Sequence, residues 1–149
     1  MPAFRTLLTP LAIALGATTL ASAAAAQSSG PEIFRPLDPA VSDLNSYRWD
    51  KRVVLLFGAG EDDGTYTAAR DQLAAVAPAL EDRDIVVLTD TAPEQQGAIR
   101  QGLEVDGFAM VLVGKDGGVK INSAEPVSPD ALFATIDAMP MRRREMSGG

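Results

Sequence analysis

Three consecutive carboxylates, Glu61, Asp62 and Asp63, stand directly after the glycine pair Gly58 and Gly60. A cluster of acids suits a hard cation such as Ca²⁺, which takes oxygen ligands, but a calcium loop spaces its ligands at alternate positions. The plainer expectation is that Asp62 or Asp63 caps a following helix while the others stay in water. Asp90 and Asp106 are the other acids expected at the same end of a sheet. Paired carboxylates can divide acid and base work when their surroundings separate their pKa values. A carboxylate-based hydrolase, with or without a metal, is therefore one alternative. Ordinary turn and cap duties explain the same residues. The glycines do not make a phosphate loop: a dinucleotide fingerprint needs glycine three residues after Gly60, where Asp63 stands, and no Gly-Lys-Ser/Thr occurs.

Two further groups could bind rather than catalyse. Arg142-Arg143-Arg144 is a basic run on an acidic chain, interleaved with Met139, Met141 and Met146. It could hold an anionic partner; as a plain tail, it would sit in water beyond the last helix, with methionine filling gaps against the core. Trp49, beside Leu44 and Tyr47, is a ligand platform or, more simply, a clip that fastens the preceding segment to the core. The candidate binding residues are thus Asp62, Asp63, Asp90, Trp49, Met141, Arg142 and Arg143, with no catalytic residue, metal site or cofactor expected.

Composition removes whole classes of chemistry. Among 149 residues there is no cysteine and no histidine. Thiol catalysis, thiolate metal sites and disulfides are excluded, and so are the commonest general base and the commonest transition-metal ligand. The net charge is −7, which opposes nucleic acid.

The residues must be carried on elements that the apolar pattern predicts. Residues 1–26 read as a secretory signal peptide: Arg5, then an uncharged apolar stretch, then small residues ending at Ala26. The product is expected to be periplasmic or secreted, with no membrane span after cleavage and an envelope or extracellular component as partner. Residues 27–43, with three prolines, read as an extended lead-in to a domain over 44–146. Residues 53–57 are apolar at every position, the mark of a strand buried on both faces. From Thr65, Tyr66, Ala69, Leu73, Val76 and Leu80 form a helical stripe, with Pro78 set to kink or end it. Residues 85–88 are a second strand. Thr91-Ala92-Pro93-Glu94 predicts a capping box on a weak helix bearing Ile99 and Leu103. Residues 108–113 are a third strand, and Asp116-Gly117 predicts a type I′ hairpin into Val119-Lys120-Ile121. Ser128-Pro129-Asp130 starts a last helix that Met139-Pro140 ends. The expected fold is α/β and thioredoxin-like: a mixed four-stranded sheet, parallel β-α-β and then a C-terminal β-hairpin, flanked by helices.

Three stretches carry a family resemblance. Residues 113–120, VGKDGGVK, residues 125–146, EPVSPDALFATIDAMPMRRREM, and residues 47–60, YRWDKRVVLLFGAG, resemble the bacterial family known as domain of unknown function 4174. The resemblance implies a thioredoxin-like fold and no agreed activity. Against thioredoxins proper, Asp62 and Thr65 fall near the places of the paired cysteines, and Phe108-Ala109 stands where a cis-proline precedes the third strand. Loss of both features implies that the redox site is absent rather than moved, and that the chain is a binding module.

Overall fold

The computed structural model describes residues 33–148; the signal peptide expected over 1–26 lies outside them. Five strands, β1 (Phe34–Pro36), β2 (Arg52–Phe57), β3 (Ile85–Asp90), β4 (Ala109–Val113) and β5 (Val119–Ser123), form one sheet in the order β1-β3-β2-β4-β5. The helices are α1 (Gly64–Ala75), α2 (Ala77–Asp82), α3 (Ala98–Gly102), α4 (Pro129–Asp137) and α5 (Pro140–Gly148).

Strand β2 is buried at every position. It pairs parallel with β3 and antiparallel with β4, so water reaches neither edge. Side chains alternate across such a strand. Val54 and Leu56 join Val87, Met110 and Leu112 on one face, where Leu73, Leu80, Leu132 and Ile136 from α1, α2 and α4 cover them. Val53, Leu55 and Phe57 join Val86, Leu88 and Val111 on the other. There the cover is thinner: Ile99 from α3, Leu103 and Val105 just beyond it, and Leu37, Leu44 and Tyr47 from the segment before β2.

The sheet has five strands rather than the expected four. The extra strand, β1, comes from the predicted lead-in, with Phe34 opposite Val87 and Pro36 opposite Thr89, parallel to β3. Proline lacks a donor, and an edge strand tolerates that where a central strand would not. The helical stripe from Thr65 is also two helices. Helix α1 stops at Ala75, and α2 restarts at Ala77 with Pro78 in its first turn, where proline loses no hydrogen bond.

Three local expectations are corrected. The capping box at Thr91–Glu94 does not form: Asp90 Oδ1 accepts the Ala92 N–H at 3.0 Å, a single 3₁₀ turn covers Pro93–Gln95, and left-handed Gln96 delays α3 to Ala98. The hairpin turn is not type I′, which needs positive φ at both central residues. Gly117, φ 82°, is the left-handed position; its N–H donates to Gly114 O at 3.0 Å, and Gly114 N–H donates to Gly118 O at 2.9 Å. That pairing is a type I turn followed by a bulge. Finally, Pro140 ends α4 but opens α5, so the expected tail is a docked helix.

Candidate functional site

The acidic loop is taken up by its own backbone. Asp63 is the N-cap of α1: Oδ1 accepts the N–H groups of Thr65 at 2.9 Å and Tyr66 at 3.3 Å, and Oδ2 accepts that of Ala59 at 2.9 Å. The Ala59 bond, with those of Tyr66 and Thr65, holds this carboxyl below its usual range against the cost of desolvation. Glu61 and Asp62 are exposed. Asp90 is committed elsewhere. Its Oδ2 accepts from Arg100 Nε at 3.0 Å, and Arg100, only 4% exposed, also donates to the carbonyls of Gly58 and Asp90 at 2.9 Å each. The Arg100 guanidinium lies 5.1 Å from the Phe57 ring centre. A buried arginine thus ties the C-terminal ends of β2 and β3 together. Asp106 is exposed. Among the described residues no three acids stand together as a metal site, and the carboxylate hydrolase has no support.

The basic run divides. Arg142 is 8% exposed and is the anchor of α5. Its Nη1 donates to Asp82 O at 2.8 Å, its Nη2 to Asp82 Oδ2 at 2.5 Å, and its Nε to Asp137 Oδ1 at 3.4 Å. Burial works against its charge, but Asp82 and Asp137 outweigh that and raise its pKa. Arg83 closes on the same Asp137 at 3.0 and 2.8 Å, and that pairing, joined by Arg142, depresses the Asp137 carboxyl. Deeper in, Arg52 is 1% exposed and binds Glu145 at 3.2 and 3.3 Å. Lys115 Nζ reaches Glu145 at 2.6 Å and Asp84 at 2.8 Å. Burial pushes Glu145 up, yet Lys115 and Arg52 more than offset it and hold it low. Lys115 is destabilised by burial and raised overall by Asp84 and Glu145. Arg142 is therefore a structural residue rather than a ligand. Arg143 and Arg144 are exposed, and Met146 is 51% exposed and does not dock. Met141, half-buried, lines a cavity of about 240 Å³ with Met139, Pro140 and Arg144.

A larger cleft, about 310 Å³, opens on the thinly covered face of the sheet. Leu55 and Val113 belong to its lining from the sheet, Ile99 and Leu103 from the α3 side, and Leu44 from the segment before β2. Val119, on the edge strand, is 52% exposed and also lines it. Polar groups come from Ser42, Asp43, Asn45 and Arg48. Asp43 Oδ1 accepts the Asn45 N–H at 2.9 Å. The exposed Arg48 side chain runs past two neighbours. Its guanidinium carbon is 5.4 Å from the Trp49 ring centre, and its Nε would be 3.5 Å from a Cβ placed on Gly117. Trp49 itself is 63% exposed, with φ 68° and its N–H donating to Lys115 O at 2.6 Å. The expected clip is corrected: Tyr47 packs on the core together with Leu44, whereas Trp49 takes no part in it and stands out beside the cleft residue Arg48. Sequence reasoning missed the cleft. The signal was there: a stripe of only Ile99 and Leu103 cannot roof the whole face of a five-stranded sheet.

The arrangement resembles known structures in backbone alone. The reduced 2-Cys peroxiredoxin of Plasmodium vivax matches with a TM-score of 0.54 at 18% identity, over 69% of this chain and 84% of that one. Thioredoxin f2 of Chlamydomonas reinhardtii matches with a TM-score of 0.53 at 14% identity, over 70% and 94%. At such identity the likeness shows the fold: α/β, thioredoxin-like, with a mixed five-stranded sheet flanked by helices. No curated protein matches the chain. Residues 43–145 match the family described as "Domain of unknown function (DUF4174)", and the chain belongs to that family.

Proposed function

We propose that the chain is an exported binding module without redox or hydrolytic activity, which uses a thiol-free thioredoxin-like scaffold to hold an apolar group in the cleft beside Arg48. The observation that carries this reading is the cleft itself. Ligand sites are concave, mostly apolar and fitted with a few polar groups, and they start near ~300 Å³; this one has that size and composition. Two observations support the remainder. The head of α1, where a thiol pair would stand, is occupied by the capping carboxylate Asp63, and the chain has no cysteine to supply elsewhere. Residues 1–26 have the pattern of an export signal, which supports a working site in the periplasm or outside the cell. Asp63 and Arg142 lie outside the proposed binding surface because their charges are engaged within the fold.

The test is titration with N-phenyl-1-naphthylamine, an uncharged apolar fluorophore. The full chain without its expected signal sequence is compared with Gly102→Phe. A Cβ on Gly102 meets nothing within 4 Å, and Gly102 lines the cleft, so the ring occupies open space rather than core. Saturable binding to the parent and at least tenfold weaker binding to Gly102→Phe is expected. Absence of saturable binding, or equal binding by both, would overturn the proposal.

A further inference from the structure

Resting on that reading, we infer that Arg48 makes the cleft a site for a small apolar monocarboxylate, whose tail lies among Leu44, Ile99 and Leu103 and whose carboxylate meets the guanidinium. The argument starts from charge. Arg52, Arg83, Arg100 and Arg142 each hold a carboxylate within 3.2 Å. Arg48 lines the cleft and, among the described residues, has no ion-pair partner; its recorded neighbour is the Trp49 ring. Its guanidinium lies beside that ring and near the left-handed Gly117. A guanidinium presents a planar fork that fits a carboxylate with two parallel hydrogen bonds. The rest of the lining is mainly aliphatic, so the ligand must bring an apolar body to the same place.

The other ionised group of the lining is Asp43. It is no counter-ion to Arg48, and one of its oxygens is engaged by the Asn45 N–H. Ser42 and Asn45 also line the cleft and carry side-chain donors. The volume suits a tail of medium length and not a lipid with two chains or a folded partner.

The test uses three ligands that share one tail: decanoate, decanol and decylammonium. Each displaces N-phenyl-1-naphthylamine from the full chain lacking its expected signal sequence, and isothermal calorimetry gives the dissociation constants. Arg48 is exposed, so water screens part of the pairing. The expected preference for decanoate over decanol is about 5- to 10-fold, the low end for a charge-assisted pair. Arg48→Gln should bind decanoate and decanol alike, with decanol unchanged from the parent. Arg48→Lys should restore part of the preference, since it keeps the charge and loses the fork. Raising salt from 50 to 500 mM should weaken decanoate binding and leave decanol untouched. Equal binding of decanoate and decanol by the parent would overturn this inference while the apolar cleft stands. A preference for decylammonium would overturn it in favour of Asp43. Retention of the decanoate preference in Arg48→Gln would remove Arg48 from the site. If none of the three competes with the fluorophore, both this inference and the binding reading fall.

Discussion

Replacing Arg142 by Gln tests whether the basic run is structure or surface. The guanidinium makes two close contacts with Asp82, at 2.8 and 2.5 Å, and a longer one with Asp137, at 3.4 Å. Hydrogen bonds to a charged group contribute ~1.5–3 kcal/mol each when buried. Cutting one partner from a fully buried pair costs ~3–5 kcal/mol. Here the discount is large, because the Asp82 side chain is 66% exposed and regains water once Arg142 is gone. Asp137 keeps Arg83 at 2.8 Å. We therefore expect a loss of about 2 kcal/mol. For a domain of this size that lowers the melting temperature by roughly 8 °C. Urea unfolding followed by far-ultraviolet circular dichroism measures it, with an unchanged m-value as the sign that the unfolded state is not the cause. Arg143→Gln is the internal control: Arg143 is exposed and should change stability by less than about 0.5 kcal/mol. A double-mutant cycle with Asp82→Asn should return a coupling of about 1 kcal/mol. If Arg142→Gln and Arg143→Gln cost the same, or if the coupling is zero, the account of α5 as an ion-locked helix is wrong.

Two further outcomes follow from the acids. Asp63, Asp137 and Glu145 are all held below their ordinary pKa values of 3.8, 3.8 and 4.5. A depressed carboxyl contributes stability above its unfolded pKa and loses it as pH falls through the folded value. The urea midpoint should therefore be level from pH 7 to about 5 and drop below about pH 4; a midpoint that rises on acidification would contradict the ion pairs. Asp63→Ala should lower the melting temperature by a few degrees through loss of the α1 cap, whereas Asp62→Ala should leave it in place. Equal effects in a thermal melt would mean that the cap was misassigned.

The long apolar runs were legible because burial on both faces leaves a strand no other composition. Residues 53–57 and 85–88 read as strands, and Tyr66, Ala69 and Leu73 as a buried helical stripe, and they are. The Asp63 cap was also within reach, because an acid just before a helical stripe has one inexpensive role. What escaped was set by long-range partners. Strand β1 has three residues and a proline, and it exists only because β3 offers it an edge. Arg142 read as a solvated cation, because nothing near it in sequence shows that Asp82 waits 60 residues away. The same holds for Asp90: a weak helix over Ile99 and Leu103 was expected, but nothing in its pattern shows that Arg100 turns back to that carboxylate. The cleft was missed for a different reason: its one signal was a shortage of cover, the narrow Ile99 and Leu103 stripe, and sequence patterns register most readily what is present.

The bond between Arg52 and Glu145 joins residues 93 positions apart. The second strand of the sheet therefore carries a buried cation whose counter-charge comes from α5, far along the chain. Until α5 docks, Arg52 has the Arg83 carbonyl but not its carboxylate partner. Such wiring ties consolidation of the central strand to the docking of α5, so that anything pulling this helix away disturbs the middle of the sheet as well.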